Sequence, residues 1–277
     1  MVDRLRKFPI RLPSHQVPGN TDINNRRVAN VESCFGSSGQ TLQSPDRVLI
    51  GEGVLMKMCR KKAKPRQFFL FNDLLVYGSI VLSKRRYSRQ HVVPLEEIKV
   101  EDVEDDGDSK FGFLIKTRHK SFMVYAVSES EKEQWMTHIC RCVENLLRHG
   151  RQAATDHAAV WIPDAEAESC MCCRNVRFSF VQRKHHCRAC GSVVCGKCSS
   201  KNFVLEGISK TPVRVCDLCY NKLCQGITAT AQSRATVVHP VNVDTSSDEE
   251  EEHVYANQEP ATFYPNQDAP NRVEKLI

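Results

Sequence analysis

The chain has 277 residues, 41% of them apolar and 26% charged, which is the composition of a globular protein long enough for two modules of ordinary size. No run approaches the roughly 20 apolar residues that span a bilayer. Met1 to Ile10 has no apolar core behind its basic residues, so neither a membrane span nor a secretory signal is expected. The formal net charge of +6 conceals local fields of both signs. Six of the ten residues from Lys57 to Arg66 are basic, a second basic stretch covers Lys84 to His91, and a third covers Arg183 to Arg188. One acidic block, Asp244 to Glu252, opposes them.

In chain order, residues 1–47 are turn-rich, with Pro9, Pro13, Pro18 and Pro45, and read as a flexible segment holding at most a short helix over Asn25 to Ser33. From Gly51 the pattern becomes β. Val54–Cys59, Gln67–Leu70, Leu74–Tyr77, Ile80–Ser83, His91–Leu95, Phe113–Lys116 and Phe122–Val127 are short β-prone runs broken by turn formers such as Asn72-Asp73. A helix follows, capped by Ser128 or Ser130, with Trp135, Ile139, Cys142 and Leu146 in one apolar stripe. Such strands closed by one amphipathic helix predict a mainly β first domain over 48–148, a barrel or sandwich plugged at one end. Residues 149–160 read as a linker, 161–224 as a Cys-rich unit, and 225–277 as a disordered tail.

Ten of the 14 cysteines lie between Cys170 and Cys224. In a reducing compartment so dense a cluster binds metal rather than forming disulfides. Four pairs read C-x2-C-x13-C-x2-C-x4-C-x2-C-x17-C-x2-C. Each pair chelates through a tight turn and two pairs complete a tetrahedral site, so eight thiolates predict two structural Zn2+ ions with no open position for catalysis. The short spacer between pairs two and three favours interleaving: Cys170, Cys173, Cys195 and Cys198 on one zinc, Cys187, Cys190, Cys216 and Cys219 on the other. Cys172 and Cys224 stand outside the pairs. About 60 residues bury little core, so metal supplies much of the folding free energy. RING, PHD and FYVE-type fingers all interleave two zincs, and spacing alone leaves these open.

The intervening residues discriminate. Trp161-Ile162-Pro163-Asp164, Arg183-Lys184-His185-His186-Cys187-Arg188 and Arg214-Val215-Cys216, together with the eight-cysteine spacing, resemble the FYVE zinc finger over Trp161 to about Cys219. That resemblance implies binding of phosphatidylinositol 3-phosphate: Arg183, Arg188 and Arg214 on the phosphates, Lys184 lending charge, and Asp164, His185 and His186 on the ring hydroxyls. Lys184 stands where the family commonly has a second Arg, which keeps the charge and loses a bidentate fork. Phe180 and Val181 are the expected membrane-inserting tip, with Phe178 packed inside. Titratable imidazoles predict binding that strengthens below about pH 6.5.

In the first domain, Lys64 and Arg66 alternate at strand spacing on one face and are the main headgroup candidates, with Lys57 and Arg60 second. This hairpin and the helix carrying Trp135 resemble a pleckstrin homology (PH) domain, with Lys84, Arg85 and Arg86 in a neighbouring loop. The pairing of the two modules, with Met1-Val2-Asp3-Arg4-Leu5, Val31-Glu32-Ser33-Cys34-Phe35-Gly36, Gly51-Glu52-Gly53-Val54-Leu55 and Phe68-Phe69-Leu70-Phe71-Asn72-Asp73, resembles the Phafin family. The resemblance implies a non-catalytic adaptor that reads phosphatidylinositol 3-phosphate through both modules, with other phosphoinositides as further candidate ligands. It places that adaptor in the cytoplasm and on early endosome and lysosome membranes, in endosomal trafficking and autophagy. The alternative from another class is a RING-like ubiquitin ligase, which lacks the Arg-Lys-His-His run. Nucleic acid is not an expected partner, because the basic clusters carry little aromatic interleaving. The acidic block near Ser246 and Ser247 reads as a solubilising tail or as an intramolecular competitor for the basic PH face.

Overall fold

The computed structural model describes residues 22–81, 86–105, 110–230 and 260–264. Lys84, Arg85 and the acidic block lie outside the described residues. Seven antiparallel strands form the first domain: β1 (Leu49–Met58), β2 (Ala63–Phe71), β3 (Leu74–Ile80), β4 (Tyr87–Pro94), β5 (Lys99–Asp102), β6 (Gly112–Lys116) and β7 (Phe122–Tyr125). They are hydrogen-bonded in the order β4-β3-β2-β1-β7-β6-β5. Ile80 ends β3 instead of opening a strand of its own. A strand not expected from the sequence, β5, pairs with β6 through Val100 opposite Ile115.

A first helix, α1 (Asp22–Cys34), precedes the sheet, and a second, α2 (Glu129–Arg148), follows it. The Ser128 side chain caps α2 by accepting from the Glu131 N–H at 3.2 Å. Trp135 and Ile139 are fully buried against Leu55, Phe68, Leu70, Phe113 and Ile115, so the helix closes one end of the sheet. The uninterrupted apolar run Phe68 to Phe71 is explained by burial on both faces of β2. Phe68 and Leu70 face the α2 core. Phe69 and Phe71 meet Val28, Val31, Phe35 and Leu42 on the other side. Within the segment expected to be flexible, therefore, α1 is packed onto the sheet, with Asn24 donating to the Arg47 carbonyl at 2.7 Å.

The Cys-rich unit contains two short ribbons, β8 (His185–His186) with β9 (Val193–Val194) and β10 (Lys201–Phe203) with β11 (Val213–Val215), and a terminal helix α3 (Asp217–Thr230). Its small core is built largely from the cysteines, with Val194, Leu205 and Val215. Two pieces of the segment expected to be disordered are ordered: α3 runs on to Thr230, and Thr262–Phe263 forms β12 on the free side of β1.

The linker is strapped to the first domain rather than loose. Ala154 N–H donates to the Glu96 carbonyl and Ala158 N–H to the Thr117 carbonyl, both at 2.9 Å. Ser121 Oγ donates to the Ala158 carbonyl. These bonds, with the Asp164 N–H donating to the Arg60 carbonyl at 2.9 Å, seat the finger against the open mouth of the β-domain.

Candidate functional site

Four thiols converge at each of two places. The sulfurs of Cys170, Cys173, Cys195 and Cys198 lie within 4.8 Å of one another, and so do those of Cys187, Cys190, Cys216 and Cys219. A tetrahedral zinc with Zn–S bonds of about 2.3 Å sets its sulfurs about 3.8 Å apart, so both clusters are the right size for one ion each. The surrounding backbone is built for thiolates. Cys195 N–H donates to Cys170 Sγ and Cys216 N–H to Cys187 Sγ, each at 3.2 Å. The N–H groups of Asn175 and Val176 also hold the Cys173 thiol below its ordinary range. Two structural zinc ions therefore belong to this domain. With four protein ligands each, they hold the finger together and leave no position for a substrate.

The finger and the β-domain face each other across a cleft of about 650 Å3. From the β-domain it is lined by Lys57, Arg60, Arg66, Arg89 and Lys120; from the finger by Lys184, His185, His186, Arg188 and Arg214, with Glu166 the one acid among the described lining residues. Trp161 sits between the two sets: the Arg188 guanidinium lies 4.1 Å from its ring centre and the Lys120 ammonium 5.6 Å away. Indole faces attract cations, so the ring helps hold two like charges near one another. Lys57 points inward over Phe122, 4.3 Å from the ring centre.

The field in the cleft registers on His91, which lines it. Burial, then Lys120, Lys57, Arg66 and Arg89, push its pKa down to about 4. Positive groups that converge this closely favour a dianionic ligand such as a phosphate monoester.

The structure distributes the sequence-derived candidates unevenly. Lys57, Arg60, Arg66, Lys184, His185, His186, Arg188 and Arg214 line the cleft. Arg214 is braced by donating to the Ser199 carbonyl at 2.8 Å, and Arg188 by donating to the His186 carbonyl at 3.0 Å. His186 is 3% exposed, stacked on Trp161 at 4.6 Å, and its Nε2 lies 2.8 Å from the Ile162 carbonyl, so it forms wall more than reach. Burial also lowers its pKa below the ordinary imidazole range.

Arg60 and Asp164, expected on separate headgroups, are engaged with each other. Arg60 Nε donates to the Asp164 carboxylate at 3.0 Å and its Nη2 to the Lys184 carbonyl at 2.7 Å, bridging the domains. Lys64 stands beside Lys57, its cross-strand partner, but outside the cleft lining. Arg183 is exposed on the loop leading to Lys184, also outside the lining.

Phe180 is 99% exposed and Val181 82%, while Phe178 packs on the finger core. An apolar tip that far out of the protein beside a basic cleft suits the headgroup–acyl boundary of a bilayer. Three cleft residues escaped sequence reasoning: Arg89, His91 and Lys120. Arg89 and His91 belong to the basic stretch Lys84 to His91, and their place in the cleft, like that of Lys120, depends on the fold bringing β4 and the β6–β7 turn to the finger.

The FYVE zinc finger family matches residues 160–225 and the PH domain family residues 49–144. The chain is 53% identical over 251 residues to an uncharacterised protein of Caenorhabditis elegans, covering 88% of this chain and 94% of that one. It is 52% identical over 233 residues to human pleckstrin homology domain-containing family F member 2, covering 84% and 88%. To human pleckstrin homology domain-containing family F member 1 it is 57% identical over 205 residues, covering 74% of each chain.

Proposed function

This chain belongs to the pleckstrin homology domain-containing family F, the Phafins, and on that premise we propose that it is a non-catalytic adaptor recruited to endosomal and lysosomal membranes by phosphatidylinositol 3-phosphate. PH and FYVE domains are lipid-binding modules, which sets the ligand class as phosphoinositide. The observation that carries the finer reading is the shared cleft: cations of both domains face one opening, with Phe180 and Val181 exposed on the finger beside it. Arg188 and Arg214 supply forks for a phosphate monoester, Lys184 and Arg66 add charge, and His185 offers a ring nitrogen to an inositol hydroxyl.

Membrane attachment by this route combines three modest terms: headgroup contacts, general attraction of a basic surface to anionic lipid, and burial of the apolar tip. None suffices alone, and together they make recruitment depend on the lipid present. The Arg60–Asp164 bridge and the strapped linker support the reading further, because they keep both sets of cations aimed at the same opening.

The test is the location of the fluorescently tagged full chain in cells before and after inhibition of phosphatidylinositol 3-kinase. Punctate labelling of endosomes and lysosomes that disperses with the inhibitor is expected. Labelling that is diffuse from the start, or that persists unchanged under inhibitor, would overturn the reading.

A further inference from the structure

Between Leu49 and Leu55, β1 has β2 on one side, while β7 reaches it only at Met56 and Lys57. A strand edge left like this invites pairing with whatever extended segment comes near. Here β12 covers it: Gly51 lies opposite Phe263, Glu52 opposite Thr262, and the Tyr264 N–H donates to the Ile50 carbonyl at 2.8 Å.

The side chains of this segment fill a shaped groove between β1 and α2. Phe263 packs edge-on to Trp135, ring centres 5.1 Å apart, and lies flat on His138 at 4.4 Å. The Ala261 N–H donates at 3.1 Å to the Glu131 carboxylate, whose other oxygen accepts from the Val127 N–H at the start of α2. The Tyr264 hydroxyl donates to the Glu52 carboxylate, and the Arg27 guanidinium covers the Tyr264 ring at 3.9 Å.

The other wall is made by two glycines that weaken a strand interior unless something needs the room. A Cβ at Gly51 would stand 2.4 Å from the Phe263 ring, and one at Gly53 would stand 2.7 Å from Ala261 Cβ. Neither glycine has a left-handed backbone, so close approach of the docked strand is what excludes a side chain there.

We propose that the β1–α2 groove is a strand-addition site for extended protein segments of the pattern small–Thr–Phe–Tyr, and that residues 260–264 are its intramolecular occupant. Backbone pairing gives such a site its affinity, and the pockets for alternate side chains give it selectivity. The occupant is exchangeable. It pairs through two positions, Pro260 and Thr262 are exposed, and Ala261, Phe263 and Tyr264 are only half-buried. A partner segment of the same pattern then competes against a tethered copy whose effective concentration is of the order of millimolar. The groove does not contribute to the lipid cleft, so the two sites are separable by experiment.

The probe is a fluorescent synthetic peptide of residues 257–267, titrated by anisotropy against three full-length chains: wild type, Phe263→Ala/Tyr264→Ala, and that double variant with Gly53→Val added. The double variant, its groove emptied, is expected to bind the peptide at least ~10-fold more tightly than wild type. Gly53→Val, and a Phe263→Ala peptide, are expected to abolish binding. Hydrogen exchange covers a misfolded Gly53→Val chain: the amides of Glu52 and Thr262, which pair across the β1–β12 seam, should exchange faster in the double variant than in wild type. Equal peptide affinity for wild type and double variant, or unchanged exchange at those amides, would overturn the proposal. A wild-type mass of two chains that falls to one in the double variant would assign the strand to a second copy and overturn the intrachain occupant.

Discussion

Replacing Arg188 with alanine isolates the cleft's contribution to headgroup binding. The guanidinium lies on Trp161 at 4.1 Å and uses Nη1 on the His186 carbonyl, so its position is set before any ligand arrives. A charge-assisted hydrogen bond to a phosphate is worth about 1.5–3 kcal/mol, and about 1.4 kcal/mol is one decade of affinity. Arg188→Ala should therefore weaken binding of a soluble inositol 1,3-bisphosphate by roughly 10–100-fold in titration calorimetry. Arg188→Lys keeps the charge and loses the fork and the planar stack, so a loss of roughly 3–10-fold is expected. Loss of the cation–π contact should also lower the melting temperature of the finger by an amount corresponding to about 0.5–2 kcal/mol. Zinc content, two ions per chain in both variants, controls for a collapsed finger. Affinity unchanged in Arg188→Ala, with both zincs retained, would refute a role for the cleft in headgroup binding. Arg66→Ala provides the companion: if one ligand touches both residues, the double variant loses less than the product of the two single losses.

Three other outcomes follow from the same geometry. Cys187→Ser should lower bound zinc to one ion per chain or less by elemental analysis and destabilise the finger, while the far-UV signature of the β-domain survives. Phe180→Ser with Val181→Ser should cut binding to phosphoinositide vesicles at least ~10-fold, at about 1.5–3 kcal/mol per buried apolar side chain, while soluble headgroup affinity stays unchanged. His91 should titrate near pH 4 by NMR in the free protein, and a bound phosphate should raise that midpoint. Because its folded pKa is depressed, the stability His91 contributes is complete above about pH 6.5 and is lost as pH falls toward 4. A midpoint that stays put when the headgroup is added would place the phosphate elsewhere.

The zinc sites were legible because a C-x2-C chelate is a local object, and four of them in a row restrict how they can share two ions. The apolar stripe of Trp135 and Ile139 was equally plain, since one face of a helix must be covered. By contrast, β5 carries Lys99, Glu101 and Asp102 around a single buried-face Val100, so its strand character comes from pairing with β6 and not from its own composition. The cleft was half legible. Its cations stood out as basic runs, but the runs read as two sites, because nothing local says that Arg60 reaches Asp164 across the domain boundary. The docked strand was invisible: Phe263-Tyr264 is a short aromatic pair in a polar tail, and its partner β1 lies near the start of the chain. Only the unexplained Gly51-Glu52-Gly53 in a strand interior hinted that something approaches there.

The central claim is that cations of both domains serve one lipid. It is tested most directly by vesicle sedimentation across the individual phosphoinositides, comparing the wild-type chain, Lys64→Ala/Arg66→Ala and Arg183→Ala/Arg188→Ala. The wild type should pellet preferentially with phosphatidylinositol 3-phosphate, and each double variant should lose most of that binding. Retention of wild-type binding by either double variant, or pelleting that follows vesicle charge without regard to which phosphoinositide is present, would contradict it.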